Sequence, residues 1–471
     1  VNDEALTTTS TERILVVGHG VAGRALADDA RAKGHVVVGF LDDDAASDEV
    51  LGTLSDVNRV VRHNGVDTIY FAIPTIEATR LREFISGLES GLALSMLPRT
   101  YKTISHEGVS VGDLTDVDVL QLVGRQPVKH DLLEAREMVS GRSALVTGAA
   151  GSIGSRLTEH LLDLGAASVT ALDWWENGLF HLANRLKDPR LRVVVGDVKN
   201  QRRLERVFAE SRPDLVFHAA AYKHVPMTEH NPAEALANNV LGAENVLTQA
   251  ISSGASHAVY VSTDKAVRPA NVMGATKRLG ELLLRDLAES SRQTKLTAVR
   301  FGNVLQSNGS VMETFRRQIE SGGPLTVTDR EVTRYFMTID EASQLIIQSA
   351  LLGGNGDICV LDMGEPVRIM DLARSLIRAT APHIQIEVTQ LRPGEKLYEE
   401  LTYNPDLAVS TDNSKVYILK VEDEMDVPVG DIRRTLAMAR DGDLDDEGAR
   451  RALIDMGFAI TAPIPAGRAA V

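Results

Sequence analysis

The sequence predicts an α/β protein made of two tandem Rossmann-like, doubly wound parallel sheets, the second carrying a small C-terminal substrate-binding cap. Three observations carry that expectation. An apolar run ends in a glycine-rich turn twice, at Gly18 and again 130 residues later at Gly148. After each turn, short apolar runs alternate with helix-like segments, the pattern of a parallel sheet wrapped by crossovers. The chain's 471 residues also exceed one ordinary core, given ~100–200 residues per domain.

Residues 1–12 read as a polar leader whose start, Val1-Asn2-Asp3-Glu4, does not resemble a signal peptide. The first domain is expected over 13–113. Its strand at 13–17 runs into Gly18-His19-Gly20-Val21-Ala22-Gly23, and a second strand at 36–40 leads to Asp42, Asp43 and Asp44. In such a unit the glycines admit a pyrophosphate and the acid meets a ribose. Nucleotide binding through Gly18, Gly20 and Gly23 and a degenerate structural or oligomerisation role remain equally open.

A connector is expected over 114–140, ending in a helix, before the second domain over 141–420. That domain opens on Thr147-Gly148-Ala149-Ala150-Gly151-Ser152-Ile153-Gly154, and its second strand ends at Asp173. Further apolar runs at 191–195, 215–217, 258–261 and 296–299 continue the sheet. Beyond Gly302 the pattern becomes irregular, with Gly322-Gly323-Pro324 and Arg392-Pro393-Gly394-Glu395-Lys396, as expected of a cap. Residues 421–471 read as a helical and acidic tail, with a solvated loop at 441–447 and a loose end from 462.

Composition removes several function classes. A net charge of −15 argues against nucleic acid or an anionic membrane surface as the main partner, while leaving room for a local phosphate pocket. The 44% hydrophobic and 24% charged content is ordinary for globular proteins, so neither a disordered nor a fibrous class is expected. Cys359 is the single cysteine and sits in an apolar run, which predicts a buried small hydrophobe, no disulfide framework and a reducing compartment. No apolar stretch reaches the ~18 residues of a membrane span. The spacing of His218, His224 and His230 matches no zinc pattern, so no metal is expected.

Two segments point to chemistry. Gly148, Gly151 and Gly154 open a helix whose amides and dipole suit a pyrophosphate, and Asp173 would accept from a ribose and repel a 2′-phosphate, favouring NAD over NADP. At Ser262-Thr263-Asp264-Lys265 a strand-like run ends in an acid beside an amine, at the sheet edge where α/β proteins bind ligands.

These turns, together with 218–226, Met273-Gly274-Ala275-Thr276-Lys277-Arg278, 300–305, 334–337 and 392–397, make seven ordered motifs over 140–402. Together they resemble the large bacterial nucleoside-diphosphate-sugar 4,6-dehydratases of polysaccharide biosynthesis, which are extended short-chain dehydrogenases. The resemblance implies NAD as cofactor and a UDP-sugar as substrate, UDP-N-acetylglucosamine in the best understood branch. It assigns Ser152, Ile153, Val198, Ala219 and Ala220 to the cofactor, with Asp197 beside adenine and Lys277 on the nicotinamide ribose. Lys223, His224, Asn303, Arg334, Arg392 and Glu395 fall to the substrate.

For catalysis, the resemblance gives Thr263 the orientation of the C4 hydroxyl, Asp264 proton transfer in water loss and Lys265 the C5 base. As a base Lys265 needs a lowered pKa, through desolvation or a cation such as Lys277. Met273 stands where short-chain dehydrogenases of this type place a Tyr. Either the site is dead, or Met273 marks the branch that retains configuration at C5. The segment 326–330 departs from the family by lacking His-Pro after its second Thr, which bears on the exact sugar. Competing expectations are a 4- or 5-epimerase and a catalytically silent nucleotide-sugar-binding protein. A homo-oligomer is expected. The chain reads as cytoplasmic, or attached to the inner membrane where helices precede the first domain, as they commonly do in that family.

Overall fold

The computed structural model describes residues 11–89, 92–98, 109–116, 122–123, 132–381, 383–419 and 427–460. They form two compact units, one of 1–127 with 315–331 and 367–389, the other of 128–314 with 332–366 and 390–471.

The first unit holds β1 (Arg13–Val17), β2 (Val36–Leu41), β3 (Val50–Gly52), β4 (Thr68–Phe71), β5 (Ala93–Met96) and β6 (Thr115–Asp116). They lie in the order β3-β2-β1-β4-β5-β6, parallel except for the β5–β6 pair. Ile14, Val16, Leu26, Phe40 and Tyr70 share its core. Two segments read from sequence as part of the second domain's cap pack here instead. Helix Ile369–Thr380 turns Leu372, Ala373 and Leu376 inward and lies against helix Ala78–Gly87, while Leu325–Val327 pairs with Ile386–Val388.

The second unit holds β7 (Ser143–Thr147), β8 (Ser168–Asp173), β9 (Leu191–Val195), β10 (Leu215–His218), β11 (His257–Val261) and β12 (Lys295–Arg300). Its sheet continues past β12 to Asp357–Leu361 and ends in the antiparallel Val416–Leu419 and Ala408–Ser410, beginning on the other side β9-β8-β7-β10-β11-β12. Strand order therefore reverses between β7 and β10, the crevice where doubly wound sheets take ligands. Burial on both faces explains the near-continuous apolar strands: Leu145 enters one core with Phe208 and Val246, and Val146 the other with Leu157 and Leu345. Cys359 belongs to the second of these, and burial pushes its thiol up to about 12.

Helices Val429–Asp441 and Asp446–Asp455 pack Ile432, Leu436 and Leu453 against Leu279 and Leu283 of the long helix Val272–Ser290. Buried Glu229 braces that helix, accepting from the Val272 amide at 2.7 Å and from Arg450 at 2.8 Å. Among the described residues no helix is long and apolar enough to cross a membrane.

Candidate functional site

A cavity of about 980 Å³ opens at the carboxyl ends of β7, β8, β10 and β11, within the second unit. Its floor begins at the glycine turn that follows β7. Gly148 has φ +68°, the left-handed region that favours glycine, and a Cβ on it would meet the Ala220 amide at 2.5 Å. A Cβ on Gly154 would lie 2.1 Å from the Gly148 carbonyl, so the helix Ser152–Asp163 can start this close only as glycine. No acid stands in the first turn of that helix, which leaves its positive end uncompensated. Asp173 closes the turn, accepting from the Ala150 amide at 3.0 Å and the Trp175 amide at 2.9 Å.

The opposite wall is built by β11 and the long helix. Thr263 caps the short 3₁₀ turn Asp264–Ala266, and its hydroxyl donates to Asp264 Oδ1 at 2.7 Å. Lys265 Nζ donates to Asp264 Oδ1 at 3.0 Å and to Asn303 Oδ1 at 3.2 Å, with Glu399 at 3.9 Å. Asn271 caps the long helix by accepting from the Gly274 amide. Gly274 is required there, because its Cβ would sit 2.2 Å from the Lys265 carbonyl. Met273 and Lys277, one turn apart, thus face the same cavity.

Electrostatics separate the two lysines. Burial works to lower the pKa of Lys265, but Asp264 and Glu399 outweigh it and hold the group above its ordinary value. The lowered pKa expected of a base is therefore absent at Lys265. It appears at Lys277 instead, where burial brings the amine down to about 7 against a smaller opposing pull from Glu281. Burial also raises the carboxyl of Glu399, whose Oε2 has no hydrogen-bond partner among the described residues. Lys223 and His224, both in the cavity wall, are lowered by burial, and His224 further by the charge of Lys223.

Gly148, Gly151, Ser152, Ile153, Gly154, Asp173, Val198, Ala219, Ala220, Thr263, Lys265, Met273, Lys277, Lys223, His224 and Asn303 all line this one cavity. Other expected residues do not. Asp197 faces away, its Oδ1 accepting from the Lys199 amide at 2.8 Å. Asp264 is fully buried behind Thr263 and Lys265, and its Oδ2, beside Gly302, has no hydrogen-bond partner among the described residues. Arg334, Arg392 and Glu395 form their own cluster, in which Arg334 reaches Glu395 Oε1 at 3.0 Å and the Arg392 amide donates to Oε2 at 3.3 Å. The segment 326–330 lies in the first unit rather than in the cavity wall.

Several residues of the site were not foreseen. Trp174 and Trp175 stand exposed at its mouth. Glu281, fully buried, accepts from Arg300 at 2.7 and 2.8 Å, from Arg278 at 3.2 Å and from Ser262 at 2.7 Å. The available signal was an acid placed three and four residues after Arg278 and Lys277 on one helix. Among the described residues no group of three or more His, Cys, Asp or Glu could hold a metal.

Residues 144–421 match the family model described as polysaccharide biosynthesis protein. The capsular polysaccharide biosynthesis protein CapD of Staphylococcus aureus is 42% identical over 82% of this chain, which spans 66% of that relative's length. A UDP-glucose 4-epimerase of Rickettsia canadensis is 35% identical over 60% of this chain and 84% of its own. The crystal structure of Pen from Bacillus thuringiensis superposes with a TM-score of 0.56 at 32% identity, covering 60% of this chain and 88% of the other.

Proposed function

Since the chain belongs to the polysaccharide biosynthesis protein family, we propose that it is an NAD-dependent 4,6-dehydratase of a UDP-N-acetylhexosamine. UDP-N-acetylglucosamine is the foremost substrate, and the product is the 4-keto-6-deoxy sugar with C5 configuration retained. The observation that carries this reading is a single cavity joining a glycine turn suited to a pyrophosphate to Lys265, the amine that pairs with Asp264 behind the cavity wall.

The residues present fit NAD: the turn leaves no room for a Cβ at Gly148 or Gly154, and Asp173 stands at the end of β8 where a ribose would lie. Bound there, NAD would supply a hydride acceptor for C4 and, once reduced, a hydride donor for C6. The chain's own groups do the rest. Thr263 orients the C4 hydroxyl. Lys265 and Asp264 form one proton-handling pair, in which the Asp264 carboxylate holds the amine protonated and the ammonium gives its proton to the departing C6 hydroxyl. Once deprotonated, the same amine serves C5. Lys223, His224 and Asn303 line the substrate end, and the Arg334–Glu395 cluster would meet the nucleotide if it closes over the site.

Incubation with UDP-N-acetylglucosamine in deuterated water should yield a product lighter by one water and labelled at C5. A second reading, a 4-epimerase, draws on two facts. Asp264 does not line the cavity, and inversion at C4 needs only removal and return of one hydride; a relative of that name also covers most of its own length here. Recovery of C4-inverted sugar with no loss of water would establish it and dismiss dehydration.

A further inference from the structure

Oxidation at C4 requires that the hydroxyl lose its proton as the hydride departs, and Met273 leaves no phenol to accept it. Thr263 has no basic form near neutral pH, and Lys265 is occupied by two carboxylates. Lys277 differs from both. Its side chain reaches the cavity, and beneath it lies an aromatic face rather than a carboxylate: Nζ stands 4.0 Å from the centroid of the Tyr260 ring. Among the described residues Lys277 makes no ion pair.

The seat for that ring is built into the backbone. Tyr260 lies on β11, fully buried, and slides under the long helix at Gly280. A Cβ at Gly280 would sit 2.2 Å from the Tyr260 hydroxyl oxygen. Glycine inside a helix costs about 1 kcal/mol relative to alanine, so its presence in mid-helix calls for a local reason, and the ring supplies one. Below Tyr260 the column continues. His218 stacks on it at 5.7 Å between centroids, and its Nδ1 is 2.7 Å from the Thr147 hydroxyl.

Resting on the dehydratase reading above, we propose that Lys277 takes the proton of the sugar hydroxyl being oxidised. We further assign Tyr260 as the positioning residue that seats Lys277 for this by offering a ring face in place of a carboxylate. In the step, the O–H bond of the C4 hydroxyl breaks and its proton passes to the lone pair of neutral Lys277. The O–H electron pair becomes the second bond of the ketone, and the C4–H pair leaves as hydride to the cofactor. The proton gained by Lys277 balances the one that later departs in water.

The charged and titratable groups around Lys277 agree with a neutral amine. Glu281, one turn on along the same helix, is already claimed by Arg300 and Arg278. On β10, burial and the charge of Lys277 bring His218 down to about 3, so it stays uncharged. On β11, burial and Glu281 keep Tyr260 a neutral phenol. Lys265 and Lys223 stand in the wall of the same cavity. Burial of Lys277 itself brings it to about 7.

The test is a pH titration of the full chain carrying lysine labelled with ¹³C at Cε, followed by NMR without substrate, the Lys277 signal assigned by its absence in Lys277→Met. A midpoint near 7 is expected. Tyr260→Phe, which keeps the ring, should leave the midpoint in place; Tyr260→Leu, which removes it, should lower it by about one unit, the scale of a desolvated cation–π contact. The acid limb of single-turnover cofactor reduction should move with the NMR midpoint in each variant. A Lys277 midpoint above 9, or a kinetic limb that stays while the midpoint moves, overturns the assignment. C4-inverted sugar with a limb that tracks Lys277 would overturn dehydration and leave this base in place.

Discussion

Lys265 and Lys277 line the same cavity and are both largely buried, yet their surroundings push them in opposite directions. Around Lys265 stand Asp264 at 3.0 Å and Glu399 at 3.9 Å, and the amine is held charged. Under Lys277 lies a ring, and burial brings the amine to about 7. Burial alone lowers both, so the carboxylates make the difference. On the proposed mechanism one residue type would supply both an acid and a base within one site, the arrangement by which enzymes run both chemistries near neutral pH.

The strongest way to break this contrast is to remove the charged member. Lys265→Met deletes the proton donor and leaves Asp264 and Glu399 facing one another without a cation. Turnover should fall about 10²–10⁴-fold, the range of one general acid–base group. NAD affinity, followed by fluorescence titration, should hold, because the glycine turn is built from other strands. A parallel loss of cofactor binding would move Lys265 out of the catalytic pair and into the cofactor's seat.

Next in size is the support beneath Lys277. Glu281→Leu leaves Arg278 and Arg300 buried without their carboxylate, which should cost roughly 3–5 kcal/mol by urea denaturation. Burial alone would raise Glu281, but Arg300 and Arg278 bring it from 4.5 to about 2. A carboxylate depressed in the fold contributes stability above its unfolded pKa and loses it as pH falls through the folded one. The gap between wild type and Glu281→Leu should therefore narrow between pH 4.5 and about 2. A gap constant over that window would mean that Glu281 contributes through shape and not charge.

The pH dependence of the hydride step follows with the opposite sign. Lys277 must be neutral to accept a proton, so the rate should rise through pH of about 7 and level above it. A rate that falls across that interval would instead make the ammonium of Lys277 the active form.

Much of this was legible before any coordinates. Glycine turns and apolar runs report backbone geometry, which is local, and both sheets follow them: Gly18 and Gly148 each end a first strand with φ above 60°. Gly148, Gly151, Gly154 and Asp173 meet in one cavity wall for the same reason, since they lie within 26 consecutive residues. Electrostatics did not read well. Whether Lys265 gains or loses a proton depends on Glu399, 134 positions away, and the seat of Lys277 depends on Tyr260, which in sequence is one more apolar strand residue. Segments 315–331 and 367–389 group with the first unit, a choice of partner that periodicity does not encode.

The smallest expected effect concerns Met273. It is 4% exposed and shares a helix face with Lys277 one turn away, so its thioether shapes the wall without carrying a proton. Met273→Leu keeps volume and polarity, and the rate should change by no more than about tenfold, the equivalent of the ~1.5 kcal/mol ceiling on such swaps. The NMR midpoint of Lys277 should not move, because neither side chain offers charge or a donor. If the loss instead equals that of Lys265→Met, the division of labour between the two lysines fails. The sulfur would then have to act on the sugar directly, through a polarisable contact that a branched hydrocarbon cannot replace.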